Sequence, residues 1–67
     1  MLTASFLSWY PRSRHEIASI ADAYAIPTAI VGGGFIWLFR DGSSLVMNHE
    51  QATAHDADGK VMHTQAF

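Results

Sequence analysis

The groups in this sequence with the most chemical potential are three histidines in its last third, His49, His55 and His63, set among Glu50, Asp56 and Asp58. Imidazole and carboxylate together ligate zinc, nickel or copper, and three converging groups make a site. The spacing matches no compact motif: there is no H-E-x-x-H, and no histidine pair stands at i, i+4 on a helix. The expectation is that His49 and His63 sit on separate strands as half-exposed rim residues, and that the chain uses no metal and no cofactor. Asp56-Ala57-Asp58-Gly59 starts like a calcium loop but lacks the third ligand and the closing glutamate. Asp and Gly in this arrangement suit a tight turn, and that is the reading adopted.

Other chemistries fare no better. Gly32-Gly33-Gly34 precedes a strand, whereas phosphate-cradling glycines follow a strand, open a helix and are completed by G-K-[ST]. No serine stands in a G-x-S-x-G elbow. Trp9, Tyr10 and Trp37 with Arg12, Arg14 and Lys60 would make a stacking and phosphate platform for nucleic acid. Against that, four basic residues face six acidic ones, a net charge of −2, and phosphate binding draws most of its affinity from cations. A chain of 67 residues also has little material with which to wall water out of an active site. These observations argue against catalysis by the chain alone.

That length allows one domain, here 1–67, and a domain of this size buries only about 60% of its unfolded surface. Small domains compensate with disulfides, metals or oligomerisation. The chain has no cysteine, which removes disulfides and thiolate zinc sites. Hydrophobic residues make up 49% and charged residues 15%, the reverse of a disordered composition. Charge is uneven: Arg12, Arg14 and Arg40 outnumber Glu16 and Asp22 in residues 1–40, whereas Lys60 alone answers Asp41, Glu50, Asp56 and Asp58 in the rest. No targeting signal is evident at Met1–Ser8, which lacks a basic start. The uncharged stretch from Ala23 to Phe39 is at the short limit for a membrane span, contains Pro27 and three glycines, and runs into Arg40-Asp41-Gly42. A soluble, cytoplasmic protein without membrane contact is expected.

The elements follow from local signals. Ser13-Arg14-His15-Glu16 fits the capping box S-x-x-E, and Ile17, Ile20, Ala21 and Tyr24 share one helical face behind it. Ser19, Asp22 and Ala23 lie opposite. Pro27 disfavours helix at the preceding residue, so the helix spans about Arg14 to Ala25. Thr28–Val31 reads as a short strand ended by a tight glycine turn or bulge. Phe35–Arg40 and Ser44–His49 flank Asp41-Gly42, the strongest short hairpin signal. Residues 50–59 read as a polar loop and Lys60–Phe67 as a last strand. The fold class is α+β, one N-terminal helix on a three- or four-stranded antiparallel meander.

A two-residue turn at Asp41-Gly42 would oppose Leu38 to Leu45, Ile36 to Met47 and Trp37 to Val46, giving an aliphatic face and an aromatic face. The aliphatic side suits the helix, with Ile20 and Leu38 buried together. The aromatic stripe Phe35, Trp37 and Phe39 is then covered either by Phe6–Tyr10 or by another chain. Trp9, Tyr10, Phe35, Trp37 and Phe39 are accordingly the expected partner-binding residues, and a protein partner or a second copy is the expected ligand. Very small, cysteine-free α+β chains without motifs look like the stand-alone inhibitors of phages and mobile elements, anti-CRISPR proteins among them, a likeness of size and composition alone. The reading is a non-catalytic protein-binding module, an inhibitor or adaptor. The alternative is a His/carboxylate metal-binding or accessory subunit. The cap itself is testable: Ser13→Ala should cost about 1 kcal/mol in thermal or denaturant unfolding, and an unchanged melting temperature would misplace the helix start.

Overall fold

Ser13 begins the helix as its spacing predicts: its Oγ accepts from the Glu16 amide at 3.2 Å. The return half of the box differs, because the Glu16 carboxylate accepts from the Ser13 hydroxyl at 3.3 Å. In the computed structural model, which describes residues 3–9, 13–31 and 34–67, an N-terminal 3-10 helix (Ala4–Ser8) precedes α1 (Arg14–Tyr24). Five strands follow: β1 (Ile26–Val31), β2 (Gly34–Leu38), β3 (Ser44–Met47), β4 (Gln51–His55) and β5 (Val61–Ala66). They form one antiparallel sheet in the order β1-β2-β3-β4-β5. The α+β class is as expected, with five strands in place of three or four. The expected turn at Gly32 and Gly33 lies outside the described residues.

The additional strand is β4, which occupies half of the expected loop. Its Gln-Ala-Thr-Ala-His alternates small apolar with polar residues, and Ala52 and Ala54 are fully buried. Alanine is a poor strand former; here it is the residue small enough to pass beneath the 3-10 helix. The helix ends where β1 starts, Ala25 being extended and donating to the Ala21 carbonyl at 2.8 Å. Pro27 is tolerated inside β1 because β1 is an edge strand.

The β2–β3 hairpin corrects the expected register. Phe39 donates to the Ser43 carbonyl at 2.9 Å and Gly42 to the Phe39 carbonyl at 3.0 Å, so Arg40-Asp41-Gly42 is a three-residue loop. Gly42 closes it at φ +89°, a conformation that costs a side-chain-bearing residue about 1–2 kcal/mol. Trp37 therefore opposes Leu45, Phe35 opposes Met47 and Ile36 opposes Val46. The β4–β5 loop repeats the device: Asp56 donates to Lys60, Gly59 donates to Asp56, and Gly59 has φ +85°. The two loops touch, since a Cβ at Gly42 would come within 3.1 Å of the Ala57 Cβ.

One sheet face is thus built from Trp37, Phe39, Leu45, Met47, Ala52 and Ala54, all buried, and packs with Ala4, Phe6, Leu7, Ile17 and Ala21 from the helical layer. The aromatic stripe is the core side, covered by the chain's own Phe6 and Leu7, and Phe6 meets Phe39 with ring centroids 6.1 Å apart. Leu38 points to the other face and is 43% exposed, so its expected burial with Ile20 does not occur. Tyr24 is also exposed; the helix buries Ile17 and Ala21, with Ile20 only partly covered. Truncating Leu45 to Ala should therefore cost about 2–5 kcal/mol, against under about 1 kcal/mol for Leu38→Ala. Equal losses in denaturant unfolding would contradict this register.

Candidate functional site

Polar ties help seat the helical layer on the inner face. The Trp37 indole donates to Asp22 Oδ1 at 2.9 Å, giving a buried indole N–H the partner it requires. Asp22, expected on the solvent side of α1, is thus an anchor between helix and sheet. The second tie runs through the β2–β3 loop. Asp41 accepts from the Ser43 hydroxyl and amide, and the buried Ser43 Oγ accepts from the Ala4 amide at 3.0 Å. The Ser43 hydroxyl bond, then the Ser43 amide bond, hold the Asp41 carboxyl below its usual 3.8, because both favour the charged form.

The expected partner-binding residues separate into groups. Trp37 and Phe39 are each 2% exposed, so neither is available as a surface anchor. Phe35 stacks at 5.7 Å from Trp37 at the margin of the core and is 40% exposed. Trp9 is 64% exposed, and Tyr10 lies outside the described residues. Trp9 stands with Leu7 and Ser8 on one side of a groove of about 430 Å³ whose other side is residues 63–66 of β5.

The histidines do not converge. His49 lies in the two-residue β3–β4 turn rather than on a strand, beyond Asn48, whose side chain accepts from the Glu50 and Gln51 amides at 2.8 and 3.0 Å. His55 Nδ1 lies 3.2 Å from the Gly59 carbonyl oxygen. His63 opposes the buried Ala54 and so shares the inner face, whereas His55 alternates to the outer one. Asp56 accepts from the Asp58 and Lys60 amides, each at 2.9 Å, which is the expected turn. Among the described residues no three His, Asp or Glu side chains are placed to hold one metal ion.

The outer face of the sheet is the surface that sequence reasoning assigned to the core. Ile26 and Leu38 are exposed, and Ile36 and Val46 are half-buried beside them. By the pairing register, Ser44, Thr53, His55 and Thr64 continue this face toward β5. No strand position on it carries Asp, Glu, Lys or Arg. With strands about 4.8 Å apart and residues about 3.3 Å apart, the whole face measures roughly 300–400 Å², and its apolar part lies on β1, β2 and β3. No helix among the described residues is long and apolar enough to cross a membrane.

No family model, curated protein or solved structure matches the chain.

The Asp41 tie has a defined pH signature. Its folded-state pKa is depressed, so the stability it adds is present above pH 3.8 and is lost as the pH falls through the lowered value. The Asp41 carboxyl should titrate below 3.8 when followed by nuclear magnetic resonance, and a midpoint at or above 3.8 would show the Ser43 bonds absent in solution.

Proposed function

We propose that this chain is a non-catalytic protein-binding module, acting through the open outer face of its sheet on a partner that presents an uncharged apolar surface. The observation that carries this reading is a helical layer covering one face of the sheet while the other displays Ile26, Ile36, Leu38 and Val46 side by side. A partner with matching charges gains little from a face whose strand positions carry no Asp, Glu, Lys or Arg, and a phosphate backbone or anionic membrane draws its affinity from Lys and Arg. An apolar protein surface repays burial through the hydrophobic effect. The role is that of a small inhibitor or adaptor of a larger assembly, consistent with the size and composition. A cytoplasmic location is part of the same proposal.

The experiment is a capture from bacterial lysate with wild-type chain and Leu38→Lys as parallel baits. Leu38 is exposed, so the variant should keep its circular dichroism spectrum and melt. A specific protein retained by the wild type should fall at least tenfold on the variant, the loss of an anchor worth about 1.4–2 kcal/mol. Equal recovery on both baits would remove the outer face from the binding function.

A further inference from the structure

The two edges of the sheet are not equivalent. At the β1 edge, Pro27 opposes Trp37, and the register slips between Pro27 and Ala29. Phe39 and Ser43 form a hydrogen-bonded pair. By alternation Trp37 bonds to β3 and its β1 neighbour Pro27 faces outward, where no N–H is left to offer. Proline and a bulge are how sheets blunt an edge. At the β5 edge there is no proline, and the register slip sits at the start of the strand, where Met62 is passed over between Val61 and His63. Phe67 donates to the Glu50 carbonyl at 2.9 Å, so Gln65 and His63 bond to β4 while the amides and carbonyls of Thr64 and Ala66 face outward. From Val61 to Phe67 there is no proline, lysine, arginine, aspartate or glutamate. This is an unprotected edge, and such an edge is a template for a further strand.

We infer that the β5 edge binds a second copy of this chain, β5 against β5 in antiparallel register about a two-fold axis at Thr64. In this register Thr64 pairs with its own counterpart, so its outward N–H and C=O groups are satisfied, and Ala66 comes opposite Met62 at the register slip. Lys60, at the start of β5, comes toward the end of the other copy's β5, where the Glu50 carbonyl accepts from Phe67 and Arg14 lies over the Phe67 ring; the paired strand positions themselves carry no Asp, Glu, Lys or Arg. Because the β1 edge is blunted, growth stops at two copies and the assembly closes. The groove beside Trp9 runs along this same edge, so the incoming strand also covers the exposed indole. Area argues the same way. A single outer face of roughly 300–400 Å² is small beside the ~800 Å² per partner of a standard interface. Two faces joined in one ten-stranded sheet approach that size. The inference adds the β5 edge to the outer-face reading, and the two fail separately.

The test uses the full chain, which lacks cysteine, so one introduced thiol reports one position. Across an antiparallel hydrogen-bonded pair the Cα atoms are about 5.5 Å apart, within disulfide range. Thr64→Cys should give a covalent dimer under mild oxidation, and Thr28→Cys on the β1 edge should not. Light scattering should show a concentration-dependent dimer for the wild type and for Leu38→Lys. Thr64→Lys sets two cations opposite each other on the axis, and Thr64→Pro removes only an outward N–H. Each should raise the dissociation constant at least tenfold while the circular dichroism spectrum stays folded. A wild type that remains monomeric at millimolar concentration overturns the inference. So does a dimer dissolved by Leu38→Lys but not by either Thr64 substitution, or equal cross-linking of the Thr28→Cys and Thr64→Cys chains.

Discussion

The arrangement of the whole molecule depends on the length of one loop. Arg40-Asp41-Gly42 turns the chain in three residues, with Gly42 at φ +89°, and this places Trp37 across from Leu45. A loop one residue shorter would set Trp37 against Val46. Because side chains alternate along a strand, a one-residue slip moves every residue of one strand to the other face. The three-residue loop gathers Trp37, Phe39, Leu45 and Met47 on one side, and β4 extends that side with Ala52 and Ala54. What the chain leaves open on the other side follows from the same choice.

The inner face is then held by a layer too short to cover anything else. The 3-10 helix lies against β4 and β5 and supplies Phe6 and Leu7, while α1 supplies Ile17 and Ala21. Polar bonds tie each part to the sheet and its β2–β3 loop, Ala4 to Ser43 and Asp22 to Trp37. In a domain whose total stability is a few kcal/mol, hydrogen bonds worth about 1 kcal/mol each orient the layer while apolar burial binds it. No second layer exists among the described residues to close the outer face.

Local signals in the sequence were legible where the physics is local. The Ser13 cap, the Pro27 limit on the helix, and the Asp-Gly turns at residues 41–42 and 58–59 each depend on a few neighbouring residues, and all appear in the structure. β4 was not legible as a strand by composition, since Gln51–His55 lacks β-branched or aromatic bulk apart from Thr53; its period of two was the signal that marks it. The face assignment was harder still. Phe35, Trp37 and Phe39 share a face in any register, but both faces of the hairpin are apolar, so hydrophobic pattern cannot choose the partner strand's phase. Asp-Gly announces a hairpin without stating whether its loop has two residues or three. The expected site at Trp37 and Phe39 followed from seating the helix on the aliphatic side, and burial of both residues moves attention to Leu38 and its neighbours.

The register is therefore the claim on which the rest stands, and nuclear Overhauser contacts between α-protons measure it directly. Such contacts are strongest across non-hydrogen-bonded antiparallel pairs, where the Cα atoms approach to about 4.5 Å. The account requires contacts between the α-protons of Leu38 and Ser44 and between those of Ile36 and Val46. Strong α-proton contacts in the phase of a two-residue loop, Phe39 with Ser44 or Trp37 with Val46, would contradict it.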